Sequence, residues 1–182
     1  MTRRPGRPSR SLVTRPRILA GALAMLEAKG LEALTMRALA RQLGVDPMAL
    51  YHYFPDKHAL LRAAAAALYT TLPPARARSS WQQQLVMLAE GYLGLLARAG
   101  ELLRYLSAGG EAAAEPTRIV RERFRAATSS LAMSPGRARA AHDVFVDFVH
   151  GFSLGVPRTG MTPTLRRMLR AELGILLAGM RM

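Results

Sequence analysis

Several residue types are scarce or absent in this sequence. It contains no cysteine, one tryptophan, and only two lysines among its 26 basic residues. Without cysteine, the chain has no disulfides, thiolate metal ligands or cysteine nucleophile. Acidic residues number only 12, which leaves a formal net charge of +14 and favours a polyanionic partner, either nucleic acid or an anionic membrane surface. The dominance of arginine suits phosphates and guanine edges, although a GC-rich genome produces the same bias.

Long apolar runs are also missing, and none approaches the ~20 residues of a membrane span. Residues 18–26 are apolar, follow Arg3 and Arg4, and include an A-x-A triplet, which together imitate a secretory signal. Charged residues flank this short run on both sides, and its pattern continues as an amphipathic helix to residue 31. We therefore expect a cytoplasmic protein without a membrane partner.

The most informative stretch, residues 35–57, has two helix starts and one tight turn. Thr35 is a favoured N-cap, and apolar residues follow it at helical spacing. Gly44 is expected just beyond the end of that helix, and Asp46 can cap a second helix that has Pro47 at its first position. Two helices joined by so few residues predict a helix-turn-helix. The second helix carries small and flat hydrogen-bonding side chains, which suit a groove better than a core: Met48, Ala49, Tyr51, His52 and Tyr53.

Hydrophobic periodicity predicts an all-α protein of about nine helices in two domains. Residues 1–14 are interpreted either as a disordered tail or, as we favour, as a flexible basic arm that lies on DNA through Arg3, Arg4, Arg7 and Arg10. Residues 15–72 form the predicted three-helix DNA-binding domain with its following helix, and residues 73–182 form a C-terminal helical domain. The first 62 residues carry half of the net charge, so the charge density is about twice as high at this end.

The C-terminal domain has two candidate surfaces beyond an ordinary core. The last two predicted helices have apolar stripes that can pair with a second copy in a four-helix interface, through Phe152, Leu165, Met168, Leu169, Leu173, Leu176, Leu177 and Met180. Apolar residues mixed with sparse polar ones could line a cavity for a small ligand: Met87, Leu88, Tyr92, Leu95, Leu103, Tyr105, Phe124, His142, Phe145 and Phe148. For each of these residues, simple packing in the core is the alternative.

Two groups of residues in the C-terminal domain could form a catalytic site or a metal site. Residues 151–155 match G-x-S-x-G, the pattern around a nucleophilic serine in esterases. Neither histidine nor aspartate follows Ser153 in the chain, and no alternation of strands and helices is predicted, so we expect no enzyme. His142 and His150 share one predicted helix with Asp143 and Asp147, but an interface or pocket wall explains this helix better than a metal site. We expect no cofactor.

From about residue 15 to residue 68, the sequence resembles the N-terminal domain of TetR-family transcriptional regulators. The resemblance rests on two runs, LTMRALARQLGV at residues 34–45 and ALYHYFPDKHALL at residues 49–61. It implies a homodimer on a palindromic double-stranded DNA operator, with the third helix in a major groove. It also implies repression that ends when a small apolar or aromatic effector enters the C-terminal domain and shifts the fourth helix.

The same resemblance implies a role for individual residues. Met48, Ala49 and His52 would face base edges or thymine methyls. Tyr51 and Tyr53 would bind phosphates, and Lys57 would bind the DNA backbone. With the arm, the complete set of expected DNA-binding residues is Thr35, Arg37, Pro47, Met48, Ala49, Tyr51, His52, Tyr53, Lys57, Arg3, Arg4, Arg7 and Arg10.

Two hypotheses from different classes follow from the sequence. The first is a ligand-responsive, dimeric DNA-binding repressor. The second is a basic helical adaptor or interaction protein without a specific DNA site. Specific binding that survives competitor DNA would favour the first, whereas equal binding to any polyanion would favour the second.

Overall fold

The computed structural model describes residues 13–76, 78–108, 114–157 and 159–180, and these residues form eight α-helices and one short 3-10 helix without β-strands. The predicted all-α class is confirmed. The helices are α1 (Arg15–Ala33), α2 (Met36–Leu43), α3 (Pro47–Tyr51), α4 (Lys57–Thr70), α5 (Trp81–Ala108), α6 (Ala114–Ala127), α7 (Pro135–Ser153) and α8 (Pro163–Gly179), with the 3-10 helix at Ser129–Leu131.

The predicted count of nine helices is too high by one for the described residues. The sequence predicts an interruption at Gly100 and a separate short helix after it. The backbone does leave helical geometry at Ala99, next to Gly100, where φ is −129° and ψ is 16°. The interruption is therefore found beside its predicted position, and the count differs because the two segments are joined by a kink and numbered as one helix, α5. Leu95 and Leu102 lie on either side of the kink and are both buried.

The chain divides into two compact units, Met1–Ala64 and Ala65–Met182. We call them the N-terminal unit and the C-terminal unit. The division lies inside α4, whereas the sequence places the domain boundary at residue 72, before a pair of prolines.

A small apolar core holds the N-terminal unit together. It contains the fully buried side chains of Ile18, Leu34, Leu39, Leu50, Phe54, Leu60 and Leu61. Gly21 lets α1 approach α2 closely, because a Cβ atom at this position would lie 2.9 Å from Leu43 Cδ2. Two arginines add polar contacts: Arg17 Nη2 donates to the carbonyl of Leu43 at 3.2 Å, and the Arg15 guanidinium lies 5.3 Å from the centre of the Phe54 ring.

In the C-terminal unit, α5 packs against α6, α7 and α8. It begins with the predicted capping box, in which the Ser80 N–H donates to Gln83 Oε1 at 3.0 Å and the Gln83 N–H donates to Ser80 Oγ at 3.2 Å. Glu90, half-buried on α5, accepts hydrogen bonds from Arg170 Nε and Nη2 at 3.3 and 3.0 Å. These charge-assisted bonds connect α5 to α8.

The helices α7 and α8 each begin directly after an N-cap residue. Ser134 Oγ accepts from the Arg137 N–H, with Pro135 at the first position of α7. Thr162 Oγ1 accepts from the Leu165 N–H at 3.2 Å, so α8 begins at Pro163, as its sequence predicts. Within the described parts of the chain, no helix combines the length and apolar character needed to cross a bilayer.

Candidate nucleic-acid interface and effector site

The turn between α2 and α3 is built by side chains that cap the two helices. Thr35 Oγ1 accepts from the Ala38 N–H at 3.0 Å and opens α2. Gly44 ends α2 in the left-handed region, with φ of 69° and ψ of 34°, a conformation that favours glycine because it has no Cβ. Asp46 Oδ1 then accepts from the Met48 N–H at 2.8 Å and opens α3. The predicted caps of this turn are confirmed.

The five-residue helix α3 presents its reading residues to solvent. Leu50 is fully buried, and Phe54 is buried just after the helix. These two side chains fix α3 on the N-terminal unit. Met48 is 63% exposed, and Tyr51 and His52 are exposed with it. Pro47 and Ala49 are partly exposed. Apart from its buried anchor, the helix thus has an open face of small, aromatic and hydrogen-bonding side chains.

The start of α2 contributes two further candidates. Arg37 is exposed, so its guanidinium is available to an anion. The Thr35 hydroxyl oxygen accepts the capping hydrogen bond, which leaves its own proton free to be donated outward.

Tyr53 differs from the expectation that it binds a phosphate. Its hydroxyl donates to the backbone carbonyl of Val13 at 2.8 Å. A phenol has one proton, and a phosphate oxygen accepts but does not donate. With that proton committed to Val13, Tyr53 cannot donate to DNA in this conformation. Its role is to hold the chain at residue 13, directly after the segment that carries the predicted arm. The arm residues Arg3, Arg4, Arg7 and Arg10 lie outside the described residues.

Lys57 has a structural contact that the sequence did not predict. Its ammonium donates to the Leu31 carbonyl at 3.1 Å, just beyond the break that Gly30 makes in α1 with a φ of 79°. An ammonium has three donors, so the remaining two are compatible with a DNA backbone contact.

Most of the predicted effector pocket is buried core of the C-terminal unit. Leu88, Tyr92, Leu95, Leu103, Phe124, His142 and Phe145 are buried, and Met87 and Phe148 are half-buried. Tyr105 is 46% exposed and so differs from the buried members of this set. The structure brings Phe124, His142 and Phe145 together: the Phe124 ring centre lies 5.5 Å from that of His142 and 5.4 Å from that of Phe145.

A second polar cluster joins Tyr69 of α4, Tyr92 of α5 and His150 of α7. The Tyr92 hydroxyl and His150 Nε2 are 2.9 Å apart, and the ring centres of Tyr69 and Tyr92 are 5.8 Å apart. Burial lowers the pKa of His150, and the nearby Asp147 carboxylate opposes this effect. Burial also raises the pKa of Tyr92 and of Tyr69. The sequence analysis missed Tyr69, because no pattern connects it to residues on two other helices.

An open cleft of about 540 Å³ also lies in the C-terminal unit. Its lining is rich in small residues and includes two charged ones: Thr71, Glu90, Gly91, Gly94, Ala97, Arg98, Thr159 and Gly160. None of the residues predicted for the effector pocket belongs to this lining.

The residues predicted for a dimer interface divide into two groups. Leu169, Leu173, Leu177 and Met180 are buried within the protomer, so their assignment to an interface is wrong. They form the inner face of α8, which the protomer uses for its own core. Phe152, Leu165 and Leu176 are half-buried, and Met168 is exposed. The sequence analysis missed other large apolar side chains that are exposed on these helices and just after α7: Val144, Leu154 and Ile175.

The G-x-S-x-G motif lies at the end of α7. Ser153 Oγ donates to the His150 carbonyl at 2.6 Å, a hydrogen bond within one helical turn. A nucleophile elbow instead requires a sharp turn between a strand and a helix. His142 Nδ1 lies 2.9 Å from Asp143 Oδ1, and no group of three potential ligands converges on a metal position among the described residues.

Sequence comparison matches residues 18–64 to the family described as "Bacterial regulatory proteins, tetR family". A similar curated protein is the HTH-type transcriptional repressor DrrR1 of Streptomyces coeruleorubidus, which is 42% identical over 59 residues. That match covers 32% of this chain and 22% of the repressor. The chain therefore matches less than a quarter of that relative's length.

Structural comparison covers nearly the whole chain. BioQ of Mycobacterium smegmatis is similar with a TM-score of 0.71 and 27% identity, over 93% of this chain and 98% of BioQ. A structure of BioQ with its double-stranded DNA operator gives a TM-score of 0.67 and 28% identity, over the same fractions of the two chains. A TetR variant from Acinetobacter baumannii in complex with minocycline gives 0.68 and 25%, over 92% and 96%.

Proposed function

We propose that this chain, whose residues 18–64 match the tetR family of bacterial regulatory proteins, is a dimeric transcriptional repressor of that family, released from a palindromic DNA operator by a small-molecule effector. The main support for this proposal is the solvent-exposed face of α3. Asp46 caps the helix, Leu50 anchors it, and Met48 and Tyr51 point to solvent. Such a short, anchored helix with an open face fits the major groove, where base edges can be distinguished.

The exposed side chains suggest how the groove is read. Met48, Ala49 and His52 contact base edges or thymine methyls. Tyr51 donates its hydroxyl to a phosphate, and Arg37, Thr35 and Lys57 hold the DNA backbone. The net charge of +14 supplies long-range attraction to the duplex. The similar protein BioQ has been seen with a double-stranded DNA operator, which supports the same class of partner for this chain.

Dimer formation is supported by the outer side of α7 and α8. Val144 and Leu154 on α7 or just after it, and Met168 and Ile175 on α8, are large apolar side chains left exposed by the protomer. Exposed Ala171 and Ala178 lie near Ile175 on the helix surface and allow close approach. A second copy covers this face with the same face, and such a two-fold pair matches a palindromic operator.

The buried aromatic cluster around Phe124 and Phe145 supports the effector part of the proposal. It lies in the C-terminal unit, apart from the reading helix, and consists of apolar side chains with one polar group, His142. This composition is typical of small-molecule sites. A similar TetR variant has been crystallised with minocycline. Since a regulator acts where the chromosome is, we place the protein in the cytoplasm.

Selection of duplexes from a random library by the purified protein tests the proposed function. We expect enrichment of one palindromic motif, bound with a Kd on the order of 10⁻⁸ to 10⁻¹¹ M at physiological salt and about 10³-fold or more above scrambled DNA. Titration against vesicles with anionic lipids provides the comparison. A protein that binds scrambled duplexes and vesicles as tightly as any selected duplex would be the basic adaptor instead.

Two tyrosines of the reading segment provide a matched test of the contacts. Tyr51→Phe removes an exposed hydroxyl, so we expect weaker binding to the selected operator, by about three- to tenfold, and an unchanged free energy of unfolding. Tyr53→Phe removes the bond to the Val13 carbonyl and is expected to lower that free energy by about 0.5–1.5 kcal/mol. Fluorescence anisotropy and urea denaturation measure the two quantities. A loss of stability in Tyr51→Phe, or none in Tyr53→Phe, would contradict the assignment.

A further inference from the structure

The core of the C-terminal unit contains a ring nitrogen without a hydrogen-bond partner among the described residues. The side chain of His142 is on the buried face of α7, is 3% exposed, and has its Nε2 atom fully enclosed. Buried polar atoms in native proteins are almost always paired, because an unpaired one has lost its water without a replacement. This atom therefore requires an explanation that the packing alone does not give.

The other ring nitrogen determines which kind of partner Nε2 needs. His142 Nδ1 lies 2.9 Å from Oδ1 of Asp143, whose side chain is 60% exposed. An ionised carboxylate can only accept, so Nδ1 carries the proton in this pair. In the neutral ring, Nε2 is then a bare lone pair. Its missing partner must be a donor, either an O–H or an N–H group.

Two aromatic rings pack around the His142 side chain. The Phe124 ring stands edge-on to the imidazole, with ring centres 5.5 Å apart and planes at 84°. Phe145, one turn after His142 on the same buried face, lies 5.4 Å from Phe124 between ring centres. Phe124 comes from α6 and the other two residues from α7. One hydrogen-bond acceptor in a dry aromatic setting thus lies between two helices.

We propose that His142 Nε2 is the polar anchor of the effector site, and that the effector is a small aromatic or apolar molecule with one O–H or N–H donor, as in a phenol or an alcohol. This inference rests on the proposed effector-responsive function. An ionised carboxylate is disfavoured, because its oxygens would face the Nε2 lone pair. A hydrocarbon of the same shape leaves Nε2 unpaired and binds less tightly.

The geometry also links binding to a movement of α6. The Phe124 ring packs beside the imidazole, with ring centres 5.5 Å apart, so we expect a ligand that reaches Nε2 to displace it. Phe124 is fully buried, and interiors are too densely packed for its ring to turn without movement of its neighbours. Occupation of the site therefore shifts α6 against α7.

The test uses the full chain, with histidines labelled by ¹⁵N, and three probes of one shape: 4-methylphenol, toluene and benzoate. We expect 4-methylphenol to bind at least tenfold more tightly than either other probe in calorimetry. It should also move the Nε2 resonance of His142, identified by its absence in His142→Leu. In that variant, the preference for the phenol over toluene should vanish while toluene still binds.

A second variant tests the neighbour that fixes the ring proton without disturbing the core. Asp143→Ala removes the acceptor of the Nδ1 proton, so the neutral ring can carry its proton on either nitrogen and Nε2 is no longer held as an acceptor. This variant should bind 4-methylphenol less tightly than the wild type does, while its affinity for toluene stays unchanged. Ser130→Gln, a polar change at an exposed position outside α6 and α7, is the control and should behave as the wild type.

The outcomes separate this inference from the proposed function. If wild type binds its selected operator but shows no preference for the phenol, the anchor is wrong and the repressor function stands. An Nε2 resonance that is hydrogen-bonded before any probe is added, and that no probe moves, would mean a bound water only and would also overturn the inference. Failure of the DNA selection would count against the repressor function alone.

Discussion

Ile175→Glu is expected to convert the proposed dimer into a monomer and to lower its operator affinity by at least 100-fold. Ile175 is 78% exposed on α8, so a glutamate there leaves the fold of the protomer intact. In a two-fold interface, however, the substitution would bury two carboxylates against apolar side chains, which is strongly unfavourable. Each half-site would then be bound separately, and the gain from linking two reading helices is about 10²–10⁴.

Analytical ultracentrifugation and anisotropy with the selected operator measure the two effects. Ile175→Leu keeps the apolar character and should remain dimeric. Ser130→Glu adds the same charge at an exposed position outside α7 and α8, so it controls for the change in net charge and should lose little affinity. An Ile175→Glu protein that remains a dimer with wild-type affinity would place the contact between copies on another surface.

The two sides of α8 show what a helical pattern can predict and what it cannot. The leucines Leu169, Leu173 and Leu177 follow one another at helical spacing, and this regularity correctly predicts a buried face. It does not identify the partner, and the structure shows that the protomer itself covers this face. The opposite side contains Met168 and Ile175 in a weaker pattern. Apolar residues on both sides of a helix indicate that both sides are covered, and of the second side the sequence prediction included Met168 but not Ile175.

The helix-turn-helix was predictable in detail because its determinants are local. The Thr35 side chain accepts a hydrogen bond from a backbone N–H three residues later. The Asp46 side chain accepts one from a backbone N–H two residues later. Gly44 adopts its left-handed conformation for reasons that lie in the residue itself. In contrast, the bond from Tyr53 to Val13 spans 40 residues, and the contact between Tyr92 and His150 spans 58. No spacing rule predicts such pairs, so the roles of these tyrosines depend on the tertiary fold.

The proposed role of the unpaired His142 nitrogen depends partly on local sequence and partly on the tertiary fold. The sequence places His142 among candidate pocket residues, because a single polar residue in an apolar set is typical of ligand sites. The partner of Nδ1 is the sequence neighbour Asp143, one residue away. The burial of Nε2 and the contact of the Phe124 ring with the imidazole come from the packing of α6 on α7. The type of site was therefore predictable, but the chemistry of its ligand required the structure.

Leu50→Ala is expected to lower both stability and operator binding, whereas Met48→Ala is expected to lower operator binding alone, although the two residues are only two positions apart in α3. Leu50 is the one buried residue of this helix. Its truncation leaves a cavity and is expected to cost about 2–5 kcal/mol in the free energy of unfolding. A five-residue helix has too few internal hydrogen bonds to persist alone. We therefore expect α3 to detach from the N-terminal unit and operator binding to be lost.

Met48→Ala removes a side chain that is 63% exposed, so stability should change by less than about 0.5 kcal/mol. Operator affinity should nevertheless fall by about tenfold, with the loss concentrated at one base pair of each half-site, because a base contact costs about 1–3 kcal/mol. Hydrogen exchange over residues 36–54 should rise strongly in Leu50→Ala and remain unchanged in Met48→Ala. Equal exchange in both variants, or a uniform loss of affinity across all base pairs in Met48→Ala, would mean that α3 is not the helix that contacts the bases. A helix that contacts bases combines an inner face that packs on the domain with an outer face whose contacts depend on the base sequence.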